Sequence, residues 1–174
     1  LVRLRERLSH HPLAPNQLRP TPDAALHLTL KFLGAVAPGE RPAFEALVDE
    51  AVPTHPLQAA VEGWVAFPSW KSAKVIALRI AESTGALARS ARLLELRTTH
   101  LGIPEERREF LPHLTLARLP NPSDVRSLLA DLPHESINVD FDALVLYRSV
   151  LTPTGATYTA LASRPIRHPS HGMP

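Results

Sequence analysis

Apolar and polar residues alternate most cleanly over residues 26–33, Leu-His-Leu-Thr-Leu-Lys-Phe-Leu, a period that predicts a half-buried β-strand. Leu28, Leu30 and Phe32 then face inward, while His27, Thr29 and Lys31 share the other face. A second strand of the same pattern starts at His113, with Pro112 favouring an extended entry. Helical spacing appears first in Leu1, Leu4 and Leu8, and Pro12 and Pro15 end it. The longest helix is expected at residues 83–100, capped by Ser83 or Thr84, striped by Leu87, Leu94 and Leu101, and stopped by Gly102 and Pro104. Shorter helices are expected at 40–52 and 123–132, and β-like runs at 57–67, 73–80, 137–150 and 156–162. The elements therefore read helix, strand, helix, strand, strand, and then the same order again. That order predicts an α+β fold with antiparallel sheets, each backed by helices on one face.

The repetition is also literal. His27-Leu28-Thr29-Leu30 returns as His113-Leu114-Thr115-Leu116, 86 positions later, and Leu33 and Leu119 extend the match. A lone His-x-Thr on a strand is usually incidental. Two copies, each followed by a turn, a helix and two β-like runs, point instead to an internal repeat and a pseudo-twofold fold. The turns are Ala37-Pro38-Gly39 in the first copy and Pro120-Asn121-Pro122 in the second. Two such strands side by side would bring two imidazoles and two hydroxyls to one central cleft.

Composition narrows the class. With 174 residues, 44% hydrophobic and 21% charged, the chain suits one domain of two closely packed lobes, residues 1–174. A tail is expected from about residue 164, where periodicity stops. The chain has no Cys, which excludes disulfides and thiolate metal sites. No apolar run approaches the roughly 20 residues of a membrane span, so no membrane partner is expected and the cytoplasm is the default location. A formal charge of +2 excludes a polybasic nucleic-acid coat. Lys occurs only at positions 31, 71 and 74, and the remaining cations are Arg.

The paired His-x-Thr residues suit phosphodiester cleavage. In-line attack needs a base for the nucleophile and an acid for the leaving oxygen, on opposite sides of phosphorus. An imidazole of ordinary pKa, ~6.5, can fill either role near neutrality. Thr29 and Thr115 can donate to the non-bridging oxygens and steady the charge that grows on them. A 2′,3′-cyclic phosphate, compact and strained, is an apt substrate with water as nucleophile. Catalytic zinc ordinarily takes three protein ligands, and the motif strands carry neither Cys nor carboxylate, so neither metal nor cofactor is expected. Lys31 shares the candidate face by parity. Counting by twos from His113 puts Arg118 on the leucine face, and it reaches the imidazoles only if the strand ends or bulges near Ala117. Trp64, Phe67 and Trp70, with Lys71 and Lys74, could stack on bases, although core and turn roles for the aromatics are favoured.

These motifs resemble the two-histidine phosphoesterase superfamily, and within it the RNA 2′,3′-cyclic phosphodiesterases, also called 2′-5′ RNA ligases. The likeness spans roughly residues 26–162. It rests on His27 through Gly34, on Phe110 through Arg118, and on Leu146-Tyr147-Arg148-Ser149-Val150-Leu151 with Gly155 and Tyr158. It implies a bilobal fold whose two antiparallel sheets line a central cleft, with helices on the outer faces. It implies metal-independent hydrolysis of RNA or nucleoside 2′,3′-cyclic phosphate to a 2′-phosphomonoester, with 2′-5′ RNA ligation as the reverse reaction. By this resemblance His27 is the acid, His113 the base, Thr29 and Thr115 hold the phosphate, and Lys31 and Arg118 are candidate substrate-binding residues. Partners would be RNA ends or nucleotides carrying the cyclic phosphate, acted on by a monomer. Relatives usually open on an apolar strand before the first helix. No such strand is read here, which would leave a sheet edge unpaired. Two alternatives stay open: a nucleotide- or RNA-binding module without catalysis, and the same chemistry on another cyclic phosphate or a 2′-5′ oligonucleotide.

Overall fold

The computed structural model describes residues 1–55, 57–152 and 155–167. The fold is α+β with two antiparallel sheets, one of five strands and one of two. In chain order the elements are α1 (Val2–His10), β1 (Arg19–Pro20), α2 (Arg41–Ala51), β2 (Ala59–Phe67), β3 (Ala73–Glu82), α3 (Ala86–His100), β4 (His113–Ser123), α4 (Arg126–Asp131), β5 (Asn138–Val139), β6 (Ala143–Thr152) and β7 (Gly155–Pro165). They divide into two compact units.

The first unit comprises residues 1–29, 60–81 and 111–138. It holds the five-stranded sheet, ordered β1-β4-β3-β2-β5, apart from residues at three strand ends. Its core forms where alternate side chains of β3 and β4 point one way: Ile76, Leu78 and Ile80 against Leu114, Leu116 and Leu119, all essentially buried. Each such leucine contributes about 1.5–3 kcal/mol relative to exposure. Leu4 and Leu8 of α1 and Leu128 and Leu129 of α4 are buried as well. Trp64 is buried and its indole N–H donates to the Pro133 carbonyl at 3.0 Å, so it is a core residue.

The second unit comprises residues 30–59, 82–110 and 139 onwards. Phe44, Leu47, Val48 and Ala51 give α2 one buried stripe, packed on α3 and on the β6–β7 hairpin. The Ser90 hydroxyl, buried on α3, donates to the Ala51 carbonyl at 2.7 Å and fixes the end of α2. The start of α3 is capped by the expected Thr84, whose hydroxyl accepts the Ala86 N–H at 3.3 Å, and also by a residue that was not expected. The Glu82 carboxylate accepts the Ala86 and Leu87 N–H groups at 2.7 and 3.2 Å, with the Thr84 hydroxyl bonded to the same carboxylate. Four amides at a helix start lack intrahelical partners, and a carboxylate there serves both bonding and the helix dipole.

Five expectations are corrected. The first motif is not a strand: residues 26–33 pair with the sheet through one bridge, Leu28 opposite Leu114. Phe32 is 74% exposed rather than inward. Pro120-Asn121-Pro122 is not a turn but the exposed continuation of β4, tolerated where the register with β3 is irregular. The last stripe residue of α3 is Thr98, fully buried and bonded to the Leu94 carbonyl, whereas Leu101 is exposed. The expected tail also starts later than residue 164, because Arg164 pairs with Leu144 in the hairpin and Ile166 is buried. The rest of that tail, 168–174, lies outside the described residues.

Candidate active site

The Leu28–Leu114 bridge is antiparallel, so positions on the two segments pair with a constant sum of 142. That register sets His27 opposite Thr115 and Thr29 opposite His113. Directly opposed residues in an antiparallel pair share a face, with Cβ atoms about 4.5–5.5 Å apart. Leu28 and Leu114 hold the core side, and the four polar residues form a square on the other. Carried one residue either way, this register makes each histidine diagonal to its counterpart, a spacing of about 7–8 Å in a regular pair, with the threonines on the other diagonal. All four belong to the first unit.

Both imidazoles are fixed in the same way. Nδ1 of His27 bonds the Ala25 carbonyl at 2.8 Å, and Nδ1 of His113 bonds the Leu111 carbonyl at 2.7 Å. A carbonyl only accepts, so Nδ1 carries the hydrogen in each ring, and Nε2 is the atom that gains or loses a proton. The offset, two residues before the histidine, is identical in the two copies. For His27 the carbonyl is delivered by a short 3-10 turn, Asp23–Ala25. That turn takes up the slack as the chain passes from Thr21, whose N–H bonds the Leu116 carbonyl, to Leu28 opposite Leu114. His113 has a further neighbour: the Phe67 ring lies 4.7 Å from it, centroid to centroid, tilted by 51°. Arg79 is the β3 residue opposite His113, and its guanidinium pairs with Glu62 at 2.8 Å.

The placement of Arg118 turns on one irregularity. From β3 to β4 the pairing runs Arg79–His113, Leu78–Leu114 and Ala77–Thr115, then skips to Ile76–Ala117 and Val75–Arg118. One extra residue, Leu116, is thus accommodated on β4 as a β-bulge. The bulge reverses the parity, so Arg118 joins His113 and Thr115 on one face while Ala117 and Leu119 are buried. Lys31 is held differently. It belongs to the second unit, where its ammonium donates to the Glu95 carboxylate at 2.7 Å and to the Pro104 carbonyl at 3.2 Å. Glu95 is itself held below the ordinary carboxylate range: burial pushes its pKa up, but the bonds from Lys31 and the Glu106 N–H outweigh it.

The sequence marks the histidines and threonines as candidates but not what orients the two rings. Backbone carbonyls carry no side-chain signature, so Ala25 and Leu111 were invisible. Phe67 was visible as an aromatic, but nothing in its spacing joined it to His113. Among the described residues no group of three or more His, Asp or Glu side chains could hold a metal ion. None of their helices is long and apolar enough to cross a membrane. A hollow of about 270 Å³ beside the later part of β4 is lined by Pro15, Asn16, Gln17, Leu119, Asn121 and Ser123, none of them ionisable. It offers no acid–base chemistry.

The profile of the 2′-5′ RNA ligase superfamily matches residues 3–152. An RNA 2′,3′-cyclic phosphodiesterase of Methanothermobacter thermautotrophicus is 32% identical over 140 residues, covering 77% of this chain and 74% of that protein. The enzyme of the same name from Aeropyrum pernix is 28% identical over 171 residues, covering 92% of each. Among solved structures, TT0787 of Thermus thermophilus matches with a TM-score of 0.73 and 26% identity, over 96% of this chain and 91% of that one. Escherichia coli LigT, solved with 3′-AMP, shares the fold with a TM-score of 0.65 at 24% identity, over 95% of this chain and 92% of its own.

Proposed function

The chain belongs to the 2′-5′ RNA ligase superfamily, and from that membership we propose that it is an RNA 2′,3′-cyclic phosphodiesterase working through His27, Thr29, His113 and Thr115. The observation that carries the reading is the paired register: two imidazoles on one diagonal, two hydroxyls on the other, both rings held through Nδ1 by the carbonyl two residues earlier. A phosphoryl group between the imidazoles meets a proton acceptor on one side and a proton donor on the other, as in-line displacement requires.

The steps follow from that geometry. Nε2 of neutral His113 takes a proton from water as the water oxygen bonds to phosphorus. Nε2–H of protonated His27 gives its proton to the 3′ oxygen as the P–O3′ bond breaks, leaving a 2′-phosphomonoester and a 3′-hydroxyl. The assignment of acid to His27 and base to His113 follows the family resemblance. Thr29 and Thr115 donate to the non-bridging oxygens, and Arg118 supplies a cation on the same face. With the 5′-hydroxyl of a second strand in place of water, the same groups would join it to the cyclic phosphate as the P–O3′ bond breaks, giving a 2′-5′ link.

The test is a product assay on a 2′,3′-cyclic mononucleotide in excess EDTA, with the His27→Ala, His113→Ala double variant as control. EDTA-resistant 2′-monophosphate that the control does not form supports the reading. Formation of 3′-monophosphate alone reverses the assigned leaving group. Ligand binding without any product overturns catalysis in favour of a binding module.

A further inference from the structure

The two imidazoles share a kind of anchor but not a kind of support. On the His113 side the chain is held by the sheet: the Pro112 carbonyl accepts the Ile80 N–H at 2.9 Å, and His113 itself pairs with Arg79 of β3. On the His27 side the Ala25 carbonyl sits in the span 22–27, between Thr21 and Leu28, the two positions tied to β4. Within that span the Ala25 N–H bonds the Pro22 carbonyl at 2.9 Å, and the Leu26 N–H bonds the Asp23 carbonyl at 3.1 Å. Those two bonds shape the turn from inside and fasten it to no other element.

Arg5 fastens it from outside. Leu4 and Leu8 are buried in the first unit, which makes α1 a fixed base. From that base the Arg5 guanidinium, its side chain only 16% exposed, donates to the Thr21 carbonyl at 2.8 Å and pairs with the Asp23 carboxylate. Thr21 is where the chain leaves β4, and Asp23 opens the turn that Ala25 closes. A charge-assisted bond of this kind is stronger than a neutral one, and partial burial of the cation limits its screening by salt. All of these residues belong to the first unit. We propose that Arg5 is a positioning residue: by clamping the Asp23–Ala25 turn to α1, it holds the Ala25 carbonyl against Nδ1 of His27 and keeps Nε2 aimed at the phosphoryl group. This rests on the phosphodiesterase reading and adds to it a residue outside the His/Thr square. Arg5 acts through the turn and not on the substrate. Without the clamp the carbonyl shifts, and the ring is free to rotate and to exchange tautomers.

The experiment reads the rings directly, by nitrogen NMR of isotope-labelled histidines at a pH where the imidazoles are neutral. His27→Ala and His113→Ala identify the two signals. In the wild type both rings are expected as the Nδ1–H tautomer. In Arg5→Ala the His27 signal moves towards a mixture of tautomers while that of His113 stays. On a cyclic mononucleotide kcat then falls by about 10–10²-fold, with KM within about two-fold of wild type. Arg5→Lys lies between, because an ammonium keeps the charge but not the planar fork. Arg7→Ala removes a neighbouring charge of α1, one paired with Glu135, and leaves both readouts unchanged. Circular dichroism checks that each variant is folded. Should Arg5→Ala fail that check, Asp23→Ala, which cuts the clamp at an exposed residue, decides by the same spectra. A His27 ring that keeps its tautomer, or a shift shared equally by His113, overturns the clamp. Absence of turnover in the wild type sinks the hydrolase reading, while the spectra still judge Arg5.

Discussion

At the scale of single residues, the two histidines are equivalent in their anchoring, whereas the proposed reaction asks one to act as acid and the other as base. Neither ring can do its work in the wrong tautomer, and the carbonyls of Ala25 and Leu111 enforce the right one at 2.8 and 2.7 Å. Replacing either histidine by Ala is therefore expected to lower kcat by about 10²–10⁴-fold, the usual contribution of a positioned acid or base. The dependence of kcat/KM on pH in the wild type should be bell-shaped, and each single variant should lose one limb along with the rate. Thr29→Val and Thr115→Val keep the side-chain shape but remove the donor. Each is expected to lower kcat by about 10²-fold with a smaller change in KM, since the hydroxyls meet charge that grows in the transition state. Steady-state kinetics on a cyclic mononucleotide would check both sets. Variants of His27 or His113 that stay within two-fold of wild type would remove these residues from the mechanism.

At the scale of elements, legibility followed the strength of the local pattern. The helix expected at 40–52 and the β-run expected at 73–80 were readable because their local sequence settles their conformation. What failed was every feature fixed by a partner strand. Residues 26–33 have a strand's sequence but only one bridge, because the Asp23–Ala25 turn offsets their register from that of β1. Arg118 was on the wrong face by counting, and the bulge at Leu116 put it on the right one. The cap of α3 came from Thr84, as expected, and from Glu82 at the end of a strand, which was not. Glu82→Ala is expected to cost about 1 kcal/mol, the usual worth of a cap, measured as a lower urea midpoint. Lys31→Ala strands the Glu95 carboxylate and should cost about 1–3 kcal/mol by the same measurement. These carboxylates also set a pH dependence. Burial works to raise the pKa of Glu82, but bonds from the Leu87 N–H, the Thr84 hydroxyl and the Ala86 N–H lower it overall, as Lys31 does for Glu95. A folded pKa below the unfolded value gives stability that is present above the ordinary 4.5 and is lost as pH falls through the folded value. Glu82→Gln with Glu95→Gln should then flatten the loss of stability below pH 4.5, read from urea midpoints across that range. Equal slopes in variant and wild type would remove these two carboxylates as the cause.

At the scale of the molecule, the repeat was legible in the order of elements and hidden in their pairing. The strands that follow the first motif, β2 and β3, build the sheet on which the second motif's strand lies, and both motifs belong to the first unit. A linear pattern shows that two copies exist but not which hairpin each copy borrows, because that choice is made by long-range burial. Charge behaves likewise. Nineteen basic against 17 acidic residues leave +2 over the whole chain, too little for tight sequence-independent binding to RNA. Attraction to an RNA end then has to come from a few cations placed on one face, and Arg118 is one that shares the face of His113 and Thr115. Each phosphate neutralised on a single strand contributes a slope of about −0.7 in a plot of log affinity against log salt. A short oligoribonucleotide ending in a 2′,3′-cyclic phosphate should therefore show a modest salt dependence of kcat/KM near that value, weaker in Arg118→Ala. A slope several-fold steeper would mean that RNA is held by a basic surface well beyond this face, and a slope unchanged in Arg118→Ala would mean that Arg118 meets no phosphate during turnover.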